Sequence, residues 1–442
     1  MISDSSRATS DRVARLAYDY LYCVTELKSI VDHLFRRESS KLVSILTKLF
    51  GPHNLELAED VVQDTLLKAL EHWKFHGTPD NPSAWLFTAA RNKALDVIRR
   101  ERHHKEFGAE ISPLLKSEYS ASHTLHQLLQ ENEIEDEQLR MMFVCCHPSL
   151  SEEGQVALIL KTLCGFSVSE IAKGFLTTEE TITKRLYRAR QQFREEKIAF
   201  ALPYAHELQG RLDNVLTAIY LIFNEGYNSS HHASLIREDL VEESLRLGKM
   251  LVDHPLTQQP KSLALLALMC FQSARLYARV DVSGRLIQLK DQDRNLWNND
   301  LIKQGILYLQ QASGGETISS YHLEAAIAHE HCITKNYAET DWRKILQLYD
   351  WLLEIKGDAL IALNRLIVYA EVNGPKAALE EIQQIPDKGT LKNYYLYPAA
   401  LGEWHAQLGN FYEAKKYFED AMLLTRSPTE KQLLQTKITK LL

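Results

Sequence analysis

Apolar positions recur at helical spacing along most of the chain, and no long run of β-branched residues alternates with polar ones. The pattern predicts helices throughout. Its sharpest stretch is SVSEIAKGFLTTEETITKRLYRAR, Ser167 to Arg190. Ser167 and Glu170 stand at capping-box spacing and start a helix with Ile171 and Ala172 facing inward. Gly174 falls near its end. Thr177 and Glu180 repeat the box, and Ile182, Leu186 and Ala189 then recur as a buried stripe. Two short helices joined by a tight turn predict a helix-turn-helix.

A second unit lies upstream. From a cap at Asn54 to about Trp73, Leu57, Ala58, Val61, Val62, Thr65, Leu66, Ala69, Leu70 and Trp73 keep a helical period. Glu59, Asp60, Gln63, Asp64 and Glu71 form its polar, mostly acidic face. The loop HGTPDNPSAW follows, with Asn81 as cap and Pro82 at the first helical position. The next helix, Ser83 to about Arg102, places Trp85, Leu86, Ala89, Ala90, Ala94, Leu95 and Ile98 inside. Arg91, Asn92, Lys93, Arg99, Arg100 and Arg102 lie outside, with Asp96 as a structural partner of a nearby arginine. Near the C-terminus, Leu401-Gly402, Gly409, Phe411, Ala414, Phe418 and Ala421 match the spacing of a tetratricopeptide hairpin, in which small residues allow close crossing and aromatics fill between. An earlier hairpin around Leu363, Asn364, Tyr369, Ala378 and Leu379 is less regular.

Charge sharpens this picture. The chain of 442 residues carries a formal net charge of -7. Yet from Thr181 to Arg194 it presents Lys184, Arg185, Arg188, Arg190 and Arg194 with no acid. A basic helix on an acidic protein points to a polyanion held at one place, and DNA is the obvious candidate. Thr181, Thr183, Lys184, Arg185 and Arg188 point away from the buried stripe, towards a groove. The bland alternative is a solvated amphipathic hairpin, and for either upstream helix alone it is ordinary salt-bridge dressing.

The length predicts two to four domains. Twelve prolines and 18 glycines suit an all-α protein. The longest apolar run, Leu263 to Phe271, is too short to cross a bilayer, and the start lacks a signal-peptide core. Six cysteines without paired spacing predict a reduced, cytoplasmic protein with no membrane partner. Cys145-Cys146-His147 reads as a packed helix end, and His329, His331 and Cys332 lack ligand spacing. His231-His232 and His103-His104 read as surface or phosphate-proximal residues. The expectation is no metal, no cofactor, no catalytic residue and no enzyme.

LAEDVVQDTLLKALEHW, PSAWLFTAARNKALDVIRRER and the helix-turn-helix, in that order, resemble the sigma-70 family. More narrowly they resemble its extracytoplasmic-function (ECF) group, which keeps only regions 2 and 4. The resemblance covers roughly residues 28–197 and implies a sigma factor that binds core RNA polymerase and directs promoter-specific initiation. It gives Asp60, Gln63 and Asp64 a role on the β′ clamp helices, and adds the β flap as a partner. It assigns −10 melting and backbone contact to the loop from Gly77 to Asn81, with Arg91, Asn92, Lys93, Arg99 and Arg100. It lays the second helix of the helix-turn-helix in the −35 major groove, through Thr181, Thr183, Lys184, Arg185 and Arg188. It threads the acidic linker towards the RNA exit path.

The expected organisation is an N-terminal extension (1–27), region 2 (28–106), a linker (107–136), region 4 (137–198), a helical extension (199–300) and a TPR-like helical domain (301–442). The first 27 residues are a short amphipathic helix or a disordered start. YLIFNEGYNSS, 220–230, and RLIQLKDQDRNLW, 285–297, resemble an ECF subgroup with such an extension. The extension would regulate in cis or bind a protein or peptide. Asn224, Glu225 and Tyr227 read as a buried polar cluster or as a contact with region 2 or polymerase. Two alternatives stand beside the sigma factor. One is a polymerase-independent helix-turn-helix regulator with a TPR-like sensor. The other is a repeat scaffold whose basic helices are incidental.

Overall fold

The computed structural model describes residues 34–103, 131–175, 177–196, 198–203, 205–229, 236–281, 283–382, 391–425 and 427–441. The expected N-terminal extension, most of the linker, His104, His231 and His232 lie outside them. The described residues are helical, with one isolated antiparallel bridge between Val280 and Leu286. The all-α class is therefore the observed one.

Two compact units divide the chain, Met1–Ala218 and Ile219–Leu442. The first holds α1 (34–50), α2 (Leu55–His76), α3 (Pro82–His103), α4 (Glu131–Cys145), α5 (Glu152–Thr162), α6 (Val168–Gly174) and α7 (Glu179–Glu195). The division falls inside α8 (Ala205–Tyr227).

Helices α1 to α3 bury Leu42, Ile45, Leu46, Val61, Val62, Leu86, Ala90 and Ala94. Trp73 closes this core with its ring centroid 5.6 Å from Trp85 and 5.5 Å from Phe35. Leu70, placed on the periodic stripe by its spacing, is exposed instead, because the stripe is wider than the surface α1 and α3 cover. Helices α4 to α7 enclose Phe143, Leu158, Ile159, Ile171, Ile182, Leu186 and Phe193. The N-terminal part of α8 completes this core. Arg211 donates to the Phe143 carbonyl at 3.4 Å, and Asn214 Nδ2 donates to Gln155 Oε1 at 2.8 Å. Residues 131–136, expected in the linker, already form the first turns of α4.

The second unit contains the rest of α8, then α9 (Glu238–Asp253), α10 (Pro260–Ala274), α11 (Asn299–Ala312), α12 (Ser320–Ile333), α13 (Trp342–Lys356), α14 (Ala359–Asn373), α15 (Pro375–Glu381), α16 (Leu396–Gln407), α17 (Phe411–Leu424) and α18 (Pro428–Lys440). Helix α10 carries the longest apolar run and is buried from Leu263 to Phe271. A helix apolar on every side needs neighbours on every side, and α9, α11 and α12 pack against it. Small residues set those crossings: a Cβ on Gly305 would sit 2.7 Å from the Phe271 ring, and one on Gly248 would sit 2.7 Å from Met269. Among the described residues no helix is long and apolar enough to cross a membrane.

In the last hairpin α16 and α17 cross at Gly402, where a Cβ would meet Phe418 at 2.7 Å. Ala414, Phe418 and Ala421 are buried there, at the positions the spacing selected. Phe411 departs from that expectation. It starts α17 and is 53% exposed, so the crossing is filled by Phe418 and, beside it, by Tyr417 stacked on His405.

Candidate nucleic-acid and partner interface

Helix α6 begins with the capping box read from its sequence. Ser167 Oγ accepts from the Glu170 amide, and the Glu170 carboxylate accepts from the Ser167 amide at 2.7 Å. The second box shifts by one residue. Thr178, not Thr177, is the N-cap of α7, with its hydroxyl accepting from the Thr181 amide at 3.2 Å. The Thr177 amide is taken by the Ala172 carbonyl at 2.8 Å, which closes the turn. That leaves Glu180 free to accept from Lys184 Nζ at 2.6 Å.

With Ile182, Leu186, Ala189 and Phe193 buried, α7 turns Thr183, Lys184, Tyr187, Arg188 and Gln191 outward. Of the residues selected by sequence, Thr183, Lys184 and Arg188 lie on this exposed strip. Thr181 is half-buried in the cap, its hydroxyl 2.9 Å from that of Thr178. Arg185 is half-buried with its guanidinium 5.5 Å from the Phe175 ring centroid. Tyr187 was missed. It is 63% exposed in the middle of the strip. An aromatic is ordinarily assigned to the core, yet its spacing from Thr183 and Lys184 carried the signal.

On α2 the side chains of Asp60, Gln63 and Asp64 are exposed together. Leu67, one turn further on, is 59% exposed among them and was also missed. Glu59 is different: it turns away from this face and accepts from Arg190 at 2.8 Å. On α3, Asn92, Arg99 and Arg100 are exposed, while Arg91 and Lys93 are half-buried. Asp96 pairs with Arg99 at 3.2 Å, as its position suggested. Lys93 Nζ sits 2.6 Å from Asp64. One ion pair thus joins the residue sets expected to serve melting and polymerase. Half exposed, it contributes at most about 1 kcal/mol. Asn81 is committed to its cap, with Oδ1 accepting from the Ala84 amide at 2.9 Å. Asn54 is not such a cap: its Nδ2 donates back to the Phe50 carbonyl at 2.9 Å.

The thiols of Cys145 and Cys146 are wholly buried at the end of α4, and burial pushes both upward. In the second unit the NEGY segment has partners. Tyr220 donates to Glu324 at 2.5 Å and also bonds Asn224, and burial beside Glu324 raises its hydroxyl well above the usual range. Glu225 accepts from Ser229 at 3.2 Å. The Arg279 guanidinium stacks 3.6 Å over the Tyr227 ring and donates to the Tyr227 carbonyl. Desolvation there lowers the Arg279 pKa. Tyr220 thus ties α8 to α12 and Tyr227 ties it to the turn after α10, while Asn224 is exposed and Glu225 and Tyr227 half-buried, so these three do not form the buried cluster their sequence suggested.

A capped helix-turn-helix with an exposed basic strip, preceded by an acidic-faced helix and a basic-faced one, defines a DNA-binding transcription protein. Comparison with known families carries this further. Residues 34–104 match the model of sigma-70 region 2, and residues 140–193 that of sigma-70 region 4. Residues 211–313 match a family of unknown function, DUF6596. The chain is 32% identical over 133 residues to the ECF RNA polymerase sigma factor SigL of Mycobacterium tuberculosis, which covers 30% of this chain and 70% of SigL. It is 31% identical over 140 residues to the ECF RNA polymerase sigma factor EcfG of Rhodopseudomonas palustris, 31% of this chain and 70% of that one. An uncharacterized protein of Rhizobium meliloti, R00370, is 32% identical over 388 residues, 88% of this chain and 90% of its own length. No solved structure matches. The chain belongs to the sigma-70 family, as an ECF-type sigma factor with a C-terminal extension, and its role lies in transcription initiation.

Proposed function

We propose that the protein binds core RNA polymerase through the exposed face of α2, reads a −35 element with α7 and melts a −10 element with α3 and the loop before it. One observation carries the reading. The acidic face of Asp60, Gln63 and Asp64 and the basic strip of Thr183, Lys184 and Arg188 are both exposed, on separate helices, with an uncovered apolar side chain in each. An acidic stripe repels DNA and suits a cationic protein surface, and Leu67 one turn beyond it suits a desolvated anchor. A plain repressor has no use for such a stripe. Melting needs no nucleophile or metal. It needs cations on phosphates and a surface for an unstacked base, which Arg99, Arg100, Asn92 and the exposed Phe75 beside the loop offer. Arg91 and Lys93 belong to the same basic helix. Thr181 and Arg185 act on the −35 contact by holding the helix start and its flank.

The second unit serves as a regulatory extension or a docking module for a protein or peptide, since stacked helical hairpins present grooves of this kind.

The test is transcription in vitro with purified core polymerase over a genomic DNA library read by sequencing. New defined start sites that require the protein are expected. The D60A/D64A double variant should lose most of them and fail to co-purify with polymerase, with its helix content unchanged. Normal co-purification of that variant would remove α2 as the polymerase face.

A further inference from the structure

We propose that Arg275, Arg279 and Arg294 of the second unit form a binding site for the phosphoryl group of a small ligand. The site goes beyond the promoter reading and does not depend on it. The chain sets two of the cations side by side. Arg275 is the C-cap of α10, and Arg279 caps the short 3-10 turn that follows. Both guanidinium groups face the Tyr227 ring, at 5.8 and 3.6 Å from its centroid. The loop after them brings back the third. The Asn298 amide donates to the Ala274 carbonyl at 2.7 Å, which pins the segment carrying Arg294 beside the end of α10. Arg294 lies 4.5 Å from the Trp297 ring centroid and donates through Nη1 to the carbonyls of His331 and Thr334. Desolvation lowers the pKa of both Arg279 and Arg294, and the charge of Arg275 lowers each further.

Among the described residues no carboxylate pairs with these three arginines, and the Arg275 side chain makes no hydrogen bond. The buried and half-buried acids of this unit are taken by other groups. Glu324 accepts from Tyr220 and pairs with Lys356, Glu403 pairs with Lys290 and Lys437, and Glu430 accepts from Thr425 and Tyr395. Yet Arg279 is only 8% exposed, and the Arg294 Nη2 atom is buried without a hydrogen-bond partner. A buried cation ordinarily carries a counter-ion, because burial strips its hydration. The aromatic rings cover the flat faces of the guanidinium groups, whereas the N–H donors lie in the plane at their edges. Arg279 and Arg294 each engage only Nη1. Arg275 and Arg294 are half-buried, so the group stays open to solvent on their side. Unused planar forks in an uncompensated positive field suit a multiply charged oxyanion. A phosphoryl group offers three oxygens for three guanidinium groups, where a carboxylate offers two. A duplex backbone needs cations on an open surface, whereas Arg279 lies inside, so the ligand is small.

The test is isothermal titration calorimetry on the full chain at fixed ionic strength, with pyrophosphate as one probe and ADP as the other. Saturable binding with a Kd below about 1 mM is expected. R275Q removes a cation that holds no hydrogen bond, so it should keep the helix content of the parent. It should weaken binding about ten-fold or more, as loss of a charge-assisted contact does. R294K keeps the charge but loses the fork and should weaken binding by a similar factor. R285Q alters an exposed arginine paired with Asp281 and should bind as the parent does. Tighter binding of ADP than of pyrophosphate would assign a phosphate ester, and equal or weaker binding an inorganic ligand. Absence of saturable binding by either probe would overturn the site. So would equal affinity in the parent and R275Q, which would put the anion on the basic helices of the first unit and leave the three arginines as a structural stack. If R294K loses helix content, R275Q alone decides.

Discussion

At the scale of single residues, exposure and prior commitment decide what each side chain can do. Arg188 is exposed, whereas Arg185 leans on Phe175 and Lys184 on Glu180. Arg188→Ala is therefore expected to weaken −35 duplex binding and to reduce the slope of log K against log salt by about 1. Fluorescence anisotropy across a salt series measures this, and an unchanged slope removes Arg188 from the phosphate contacts. His331 offers a residue-scale prediction of another kind. It is half-buried near Arg275 and Arg294, and desolvation together with those two cations lowers its pKa to about 3. The unfolded imidazole titrates near 6.5, so between pH 6.5 and 3 the unfolded chain binds the extra proton and stability falls as pH falls. The loss is about 2 kcal/mol between pH 7 and 5. Urea melts of the parent and of His331→Asn should diverge by that amount over this interval. Parallel pH profiles would mean that His331 is not held neutral.

At the scale of elements, caps and small residues place the helices. The Gly402 crossing is the sharpest case, because the atoms a Cβ would meet belong to the buried ring of Phe418, with the Ala414 carbonyl 3.2 Å away. Neither can retreat. Gly402→Ala is expected to cost about 1–3 kcal/mol of overpacking strain, read as a lower thermal midpoint, while the exposed Gly357→Ala variant meets no atom within 4 Å and pays only for its left-handed backbone. A neutral Gly402→Ala would show that α16 and α17 do not approach this closely.

At the scale of the whole molecule, α8 matters more than its place in the sequence suggests. The expectation ended region 4 at residue 198, yet Arg211 and Asn214 bond α4 and α5, and Leu212 and Val215 are fully buried. A chain ending at Lys197 should melt several degrees below one ending at Ser229, because it loses these bonds and the apolar area of one helix face. Equal midpoints would place α8 outside the stability of the first unit.

Much of this was legible in the chain. Helical periodicity predicts the α2, α3, α6 and α7 helices because burying an apolar stripe demands that spacing whatever the stripe packs against. The Ser167–Glu170 box and the Asn81 cap were readable because their partners lie three residues away. The spacing from Gly402 to Ala421 likewise predicts a close helical pair. What lay hidden was every contact made across long sequence distances. Glu59 and Asp60 are neighbours of like charge, and only the arrival of Arg190, 131 residues later, separates an internally paired acid from an exposed one. Arg185 and Arg188 read alike until Phe175 claims one of them. Tyr187 and Leu67 look like core residues until the core is complete without them. The local pattern determines which elements form, because it is set by short-range sterics and hydrogen bonds. Which charges remain for a partner is decided only when the helices pack, because packing is what pairs some of them and leaves the others in water.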